Sequence, residues 1–219
     1  MFQDDFILRH IRLFVLALAR VLGLIKQGDL GAALEVVRTS FQDFLGMSLD
    51  DFLAYPDDRL KDFLYFGELS VMGLNKVGLA SALLLHAGRI YKAKGSEAQS
   101  LACFEKTVRL LLDVTLADET DPELPEFSPG LDEILEELTL EQLANDTLMP
   151  LAFYFDRTGA LGRAHEAIQI LLGRSGADPD IRDMARSFYD YVLDLDEESL
   201  RSNGLLRDSI LGARNALAG

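Results

Sequence analysis

The sequence predicts an all-α protein assembled from helical hairpins, and three observations predict it. Apolar residues recur with a period near 3.6 rather than 2 along almost all of the 219 residues, and alternating runs of β-branched residues are absent. Gly28-Asp29, Gly95-Ser96 and Gly159 each separate two long apolar-periodic runs by a tight turn, as antiparallel helix pairs require. The composition, 49% hydrophobic and 26% charged, supplies a sizeable core and lies far from a disordered chain.

The first run, 4–27, is apolar from Leu13 to Ile25 apart from Arg20 and Gly23. On a helical wheel of about 100° per residue, Arg9, Arg12, Arg20 and Gln27 gather within roughly 80°. A helix with one narrow polar stripe is buried on most sides, either inside its own domain or against a second subunit. It does not read as a signal peptide, because Asp4 and Asp5 stand where such a segment is positive and no small-x-small site follows. It is also short and charged for a bilayer span, so no membrane association is expected.

The remaining helices are expected at 30–45, 49–55, 57–66, 69–94, 97–117, 131–138, 140–158, 160–174, 179–195 and 205–217. Pro56 marks a boundary, and Asp178 is placed to cap the helix that Pro179 opens. Thr139 and Gln142 have the spacing of a capping box.

The hairpins share a template. Leu84-x2-Ala87-Gly88-x2-Tyr91, the Gly95 turn, then Ser100-x3-Phe104 resembles the tetratricopeptide pattern of small and large residues. Small residues at Gly88 and Ser100 let two helices approach, while Leu84, Tyr91 and Phe104 fill the seam. The spacing recurs as Leu148-x2-Leu151-Ala152-x2-Phe155, Gly159, Ala164-x3-Ile168. It recurs more faintly as Val21-x2-Leu24, Gly28, Ala33-x3-Val37, where Arg20 occupies a normally apolar position. The turn glycines lie 67 and 64 residues apart, close to two units of a period of about 34 residues. The expected architecture is a single tetratricopeptide-like domain over 1–219, an irregular right-handed superhelix with hairpins at about 5–45, 69–117, 140–175 and 179–217.

Between Leu110 and Asp156 there is no lysine or arginine but thirteen carboxylates. The centre of that segment, the acidic loop 118–130 with Pro122, Pro125 and Pro129, reads as extended or mobile and solvated. It lacks the central glycine of an EF-hand loop.

The stretches FQDDFILRHI, GDLGAALEVV, AGRIYKAKG and SFYDYVLDLDEESLRSNGLLRDSILGARNAL, spread over nearly the whole chain, resemble a family of bacterial tetratricopeptide-like proteins of unknown function, found mostly in Gram-positive organisms. The resemblance implies an intracellular α-helical repeat fold and no established activity, substrate or catalytic residue. The proline-rich acidic loop and Pro150, which interrupts or begins its helix, depart from that pattern.

The residues offer little for catalysis. His10, His86, His165 and Cys103 are the only candidates for nucleophilic or histidine-based chemistry. Cys103, beside the packing residue Phe104, reads as a buried inert thiol, His165 as a surface or partly covered imidazole, and His10 as a surface or interface residue. No HExxH, CxxC, GxGxxG or P-loop occurs, so neither a cofactor nor a metal site is expected, and the protein is expected not to be an enzyme. A net charge of −15 without basic clusters disfavours nucleic acid. One cysteine fits a reducing, cytoplasmic compartment.

Register along the hairpins points to a groove. Arg89 and Lys92 on one hairpin, and Phe153 with Asp156 and the adjacent Arg157 on the next, occupy positions that face the concave side of a tetratricopeptide array. An aromatic among cations suits an extended peptide or an acidic C-terminus, and reversing Arg89 and Lys92 is expected to abolish partner binding without disturbing the fold. The expected function is a scaffold for a protein or peptide partner, or for self-association as a homodimer through the first helix. The alternative is a regulatory module that senses a small ligand in a pocket between helices, where the small-residue helix 69–94 and the interruptions between hairpins leave room.

Overall fold

The structure is a computed structural model that describes residues 2–65, 70–117, 123–175 and 178–217. Twelve α-helices and one 3₁₀ turn account for its regular structure, and no strand occurs among the described residues. The chain divides into two compact units, 1–138 and 139–219.

The first unit holds α1 (Phe2–Lys26), α2 (Leu30–Leu45), α3 (Leu49–Ala54), α4 (Asp57–Tyr65), α5 (Val71–Ala93), α6 (Glu97–Ala117) and α7 (Leu131–Leu135). α1 packs on α2, α5 on α6, and α5 also on α2 and α4. The turns that fold these pairs are built alike. Gly28 and Gly95 sit in the left-handed region at φ of 78° and 72°. The amide after each glycine reaches back five residues, from Asp29 to the Leu24 carbonyl (3.0 Å) and from Ser96 to that of Tyr91 (2.9 Å). This satisfies carbonyls the ending helix leaves open, and a residue with a Cβ pays strain at that φ.

The α5–α6 seam follows the expected logic. A Cβ built on Gly88 would lie 2.5 Å from Cε1 of Phe104, so only glycine admits the ring. The Ser100 hydroxyl donates to the Gly88 carbonyl at 2.9 Å across the same contact. Leu84, Tyr91 and Phe104 are all buried. α5 is long and apolar enough to cross a bilayer, and two thirds of its apolar window (67%) is buried inside the protein.

The acidic loop departs from expectation. Residues 118–122 lie outside the described set, and within 123–130 Glu123 and Glu126 are exposed while the apolar side chains are partly or fully covered. Leu124 and Phe127 pack on the core of the first unit, with Phe127 5.2 Å from the Phe14 ring and Pro129 buried. Gly78 on α5 makes the room, since a Cβ there would stand 3.1 Å from Phe127 and 3.2 Å from Pro125. Charge dominates the composition of this segment, but its few apolar side chains decide where it lies.

The second unit holds a 3₁₀ turn (Leu140–Gln142), α8 (Asn145–Arg157), α9 (Leu161–Ser175), α10 (Pro179–Leu193), α11 (Glu197–Ser202) and α12 (Arg207–Ala216). α8 packs on α9 through a turn at Gly159 (φ 75°), and α10 packs on α9 and α12. Asp178 caps α10 as expected, accepting from the Asp180 amide at 3.0 Å. The Thr139 amide donates to Gln142 Oε1 at 2.8 Å, but the box closes a 3₁₀ turn and not a long helix. The helix expected over 140–158 is broken at Leu143 and Ala144, both extended. Arg174 of α9 holds the break open, donating to the carbonyls of Leu143 (2.7 Å) and Glu141 (2.6 Å). Pro150 lies within α8, six residues from its start, where its missing amide removes a single helical hydrogen bond.

α11 was not expected. Asp196 caps it, accepting from the Ser199 amide at 2.7 Å, and Gly204 (φ 70°) ends it. Its end then serves α9, because Asn203 Oδ1 accepts from the Leu161 amide at 3.0 Å and covers an N-terminal donor that α9 leaves free.

Candidate functional site

The expected groove residues fall into two sets, Arg89 and Lys92 in the first unit and Phe153 and Arg157 in the second. Arg89 and Lys92 converge on α7 and the residues that follow it. Arg89 Nε donates to Glu137 at 2.7 Å and its other arm pairs with Glu133 at 3.1 Å. Lys92 Nζ donates to the Glu137 carboxylate at 3.0 Å and to its backbone carbonyl at 2.9 Å. Burial alone would raise the Glu137 carboxyl, but the hydrogen bonds from Arg89 and Lys92 outweigh it and hold the group below its ordinary value. The two cations therefore hold down the segment after α6, and their charge is spent inside the unit. Reversing them, expected to leave the fold undisturbed, would set two new carboxylates against Glu133 and Glu137.

A second set of buried charges joins α4 to α6. Lys106, 8% exposed at the side chain, donates to the Tyr55 carbonyl at 2.6 Å and pairs with Asp57, which also receives Arg109. Burial pushes Asp57 up, and the hydrogen bonds from the two cations more than reverse it. Lys61 and Asp113 pair at 2.7 Å beside them. These bonds tether the α3–α4 turn to α6, and each charge has a partner.

The candidates for catalysis are packed. Cys103 is fully buried, and burial pushes its thiol up to about 12, which leaves it protonated at neutral pH. His86 and His165 are partly covered, each with a buried Nδ1 that makes no hydrogen bond, and burial lowers both toward the neutral imidazole. His165 rests against the Tyr189 ring at 5.7 Å. The side chain of His10 lies outside the described residues. Among the described residues no group of three or more His, Cys, Asp or Glu converges as a metal-ligand set. The small residues of α5 open no pocket at Gly78 and Gly88, since Phe127, Pro125 and Phe104 fill the space they leave.

What the molecule does expose is apolar surface. α1 buries Phe14 and Val21, but Leu13 (49%), Val15 (47%), Leu16 (66%) and Leu22 (43%) face solvent. Among the described side chains of this helix about half are covered, where its composition asks for cover on most sides. Leu13, Leu16 and Ala17 of α1 face Val36 and Phe44 of α2 across a groove of about 790 Å³. Arg20 stands on the α1 rim, and Glu35 and Asp43 on the α2 rim. No family model matches the chain, and no curated protein or solved structure matches it at a significant level.

Proposed function

We propose that the protein is a non-enzymatic, tetratricopeptide-like scaffold of the cytoplasm that acts by protein–protein association, and that the α1–α2 groove is where a second copy of the chain docks. The exposed leucine row of α1 carries this reading. Covering the open halves of Leu13, Val15, Leu16 and Leu22 is worth on the order of 4 kcal/mol, at about 2 kcal/mol per fully buried aliphatic side chain. The charges on the rims choose the occupant. A two-fold axis through the groove would set each Arg20 against the Asp43 of the other copy and against Glu35, which also pairs with Arg38 of its own helix at 3.6 Å. An anionic lipid surface would meet the two acids on the α2 rim, which repel it.

Light scattering after gel filtration tests the reading. The expected mass at micromolar concentration is twice 24.3 kDa, falling to 24.3 kDa in Leu13→Glu/Leu16→Glu with unchanged helical content. Arg20→Glu is expected to weaken the dimer, and Glu35→Arg/Asp43→Arg in the same chain to restore it. A wild-type mass of 24.3 kDa at every concentration overturns the dimer.

A further inference from the structure

The second unit carries its own groove, of about 440 Å³, among α8, α9 and α10. Ala152, Ile168 and Phe188 line its inner part, and two aromatic side chains stand half uncovered in it, Phe153 of α8 (51%) and Tyr191 of α10 (52%). Phe153 was expected in a groove with Asp156, beside the cations Arg89, Lys92 and Arg157. The structure keeps Asp156 there and adds a second carboxylate. Among the described residues no lysine or arginine lines the groove, whereas Asp156, one turn beyond Phe153, and Asp183 of α10 both do.

The two aspartates differ. Asp183 is exposed and pairs with Arg186 at 3.0 Å along its own helix, a contact worth little in solvent. Asp156 is partly buried, and its carboxylate makes no ion pair or hydrogen bond with a described residue. Burial raises its pKa, and no charge interaction counters that rise. A part-buried carboxylate without a partner costs stability, and it sits beside two open aromatic faces. The complement of that arrangement is a cation on an apolar stem. A guanidinium or ammonium stacks over aromatic rings, donates to a carboxylate, and leaves its methylenes against Ile168 and Met184.

We propose that this groove docks a basic peptide segment of a partner protein, with Asp156 receiving an arginine or lysine side chain and Phe153 and Tyr191 enclosing its stem. An acidic segment or a C-terminal carboxylate is excluded by the same two aspartates. The site is independent of the α1–α2 groove.

Panning a random peptide-display library against the full-length chain, and in parallel against Asp156→Asn/Asp183→Asn, tests the proposal. Peptides enriched on the wild type alone are expected to carry arginine or lysine flanked by aliphatic or aromatic residues. A synthetic representative, followed by fluorescence anisotropy, is expected to bind about tenfold or more weakly to Asp156→Asn and to Phe153→Ala, as loss of a charge-assisted contact implies. Its binding to Leu13→Glu/Leu16→Glu is expected to be unchanged, which separates this site from dimerisation. Asp156→Asn removes an uncompensated charge, so it is expected to melt no lower than the wild type while losing the peptide, a combination that a merely structural aspartate would not produce. Enrichment of acidic or uncharged peptides, enrichment equal on the double-asparagine variant, no enrichment at all, or an affinity indifferent to Asp156→Asn overturns the proposal.

Discussion

Gly88→Ala tests the packing argument at its tightest point. The added Cβ would stand 2.5, 2.8 and 2.9 Å from three atoms of the Phe104 ring, which is 2% exposed and has no free volume to retreat into. Ordinary contact begins about 1 Å further out, so the ring or the helix must move by that much. Overpacking of this kind costs about 1–3 kcal/mol. Parting the helices also stretches the bond from Ser100 to the Gly88 carbonyl, worth about 1 kcal/mol. Against these, alanine gains about 1 kcal/mol of helix propensity. The net expectation is a loss of about 1–3 kcal/mol, with each kcal/mol lowering the melting temperature by about 2–4 °C in a chain of this length. Gly23→Ala is the internal control, because it lies in α1 with nothing within 4 Å of the built Cβ and collects the propensity alone. Urea unfolding followed by far-UV circular dichroism reads both variants. A Gly88→Ala protein as stable as Gly23→Ala refutes the reasoning, and Phe104→Leu in the Gly88→Ala background is expected to recover part of the loss.

Two further perturbations address the internal charges. Arg89→Glu/Lys92→Glu places four carboxylates together and is expected to release α7, read as faster amide hydrogen exchange over 131–138; unchanged protection would show that the ion pairs contribute nothing. Asp57→Ala strips the buried Lys106 of its carboxylate and is expected to cost about 3–5 kcal/mol, measured by urea unfolding; a loss under 1 kcal/mol would contradict the burial argument. Asp57 and Glu137 also set an acid limit. Both carboxyls are depressed in the folded chain, so their contribution is complete above the ordinary carboxylate values and drains as pH falls through the lowered ones. Stability is therefore expected to fall with acidification in that window, and less steeply in Asp57→Asn.

The glycine positions show why the helical frame was readable in the chain. Gly28, Gly95 and Gly159 are turn residues by local chemistry alone, since a positive φ is cheap only without a Cβ, and all three adopt it. Gly88 opposite Phe104 was legible from spacing, as a small residue seven positions before the Gly95 turn and a large one nine after it. α11 carries a local signal in Asp196, three residues before Ser199, the spacing of a side-chain cap. The break before α8 carried none, because Arg174, which holds it, lies about thirty residues away.

The sequence by itself determined the class of protein, its turns and the pairing of neighbouring helices, because these rest on contacts within a few tens of residues. Only the tertiary structure decided what the charges and apolar faces meet. Register placed Arg89 and Lys92 on an open surface, but Glu137, more than forty residues on, claims both. The same register put Phe153 and Asp156 beside Arg157, whereas the fold adds Asp183 of α10 to the groove that Phe153 and Asp156 line. The polar stripe of α1 foretold cover on most sides, yet α2 and α5 bury only part of that helix. Periodicity states which face of a helix is apolar; what covers that face, or leaves it open, depends on partners distant in the chain.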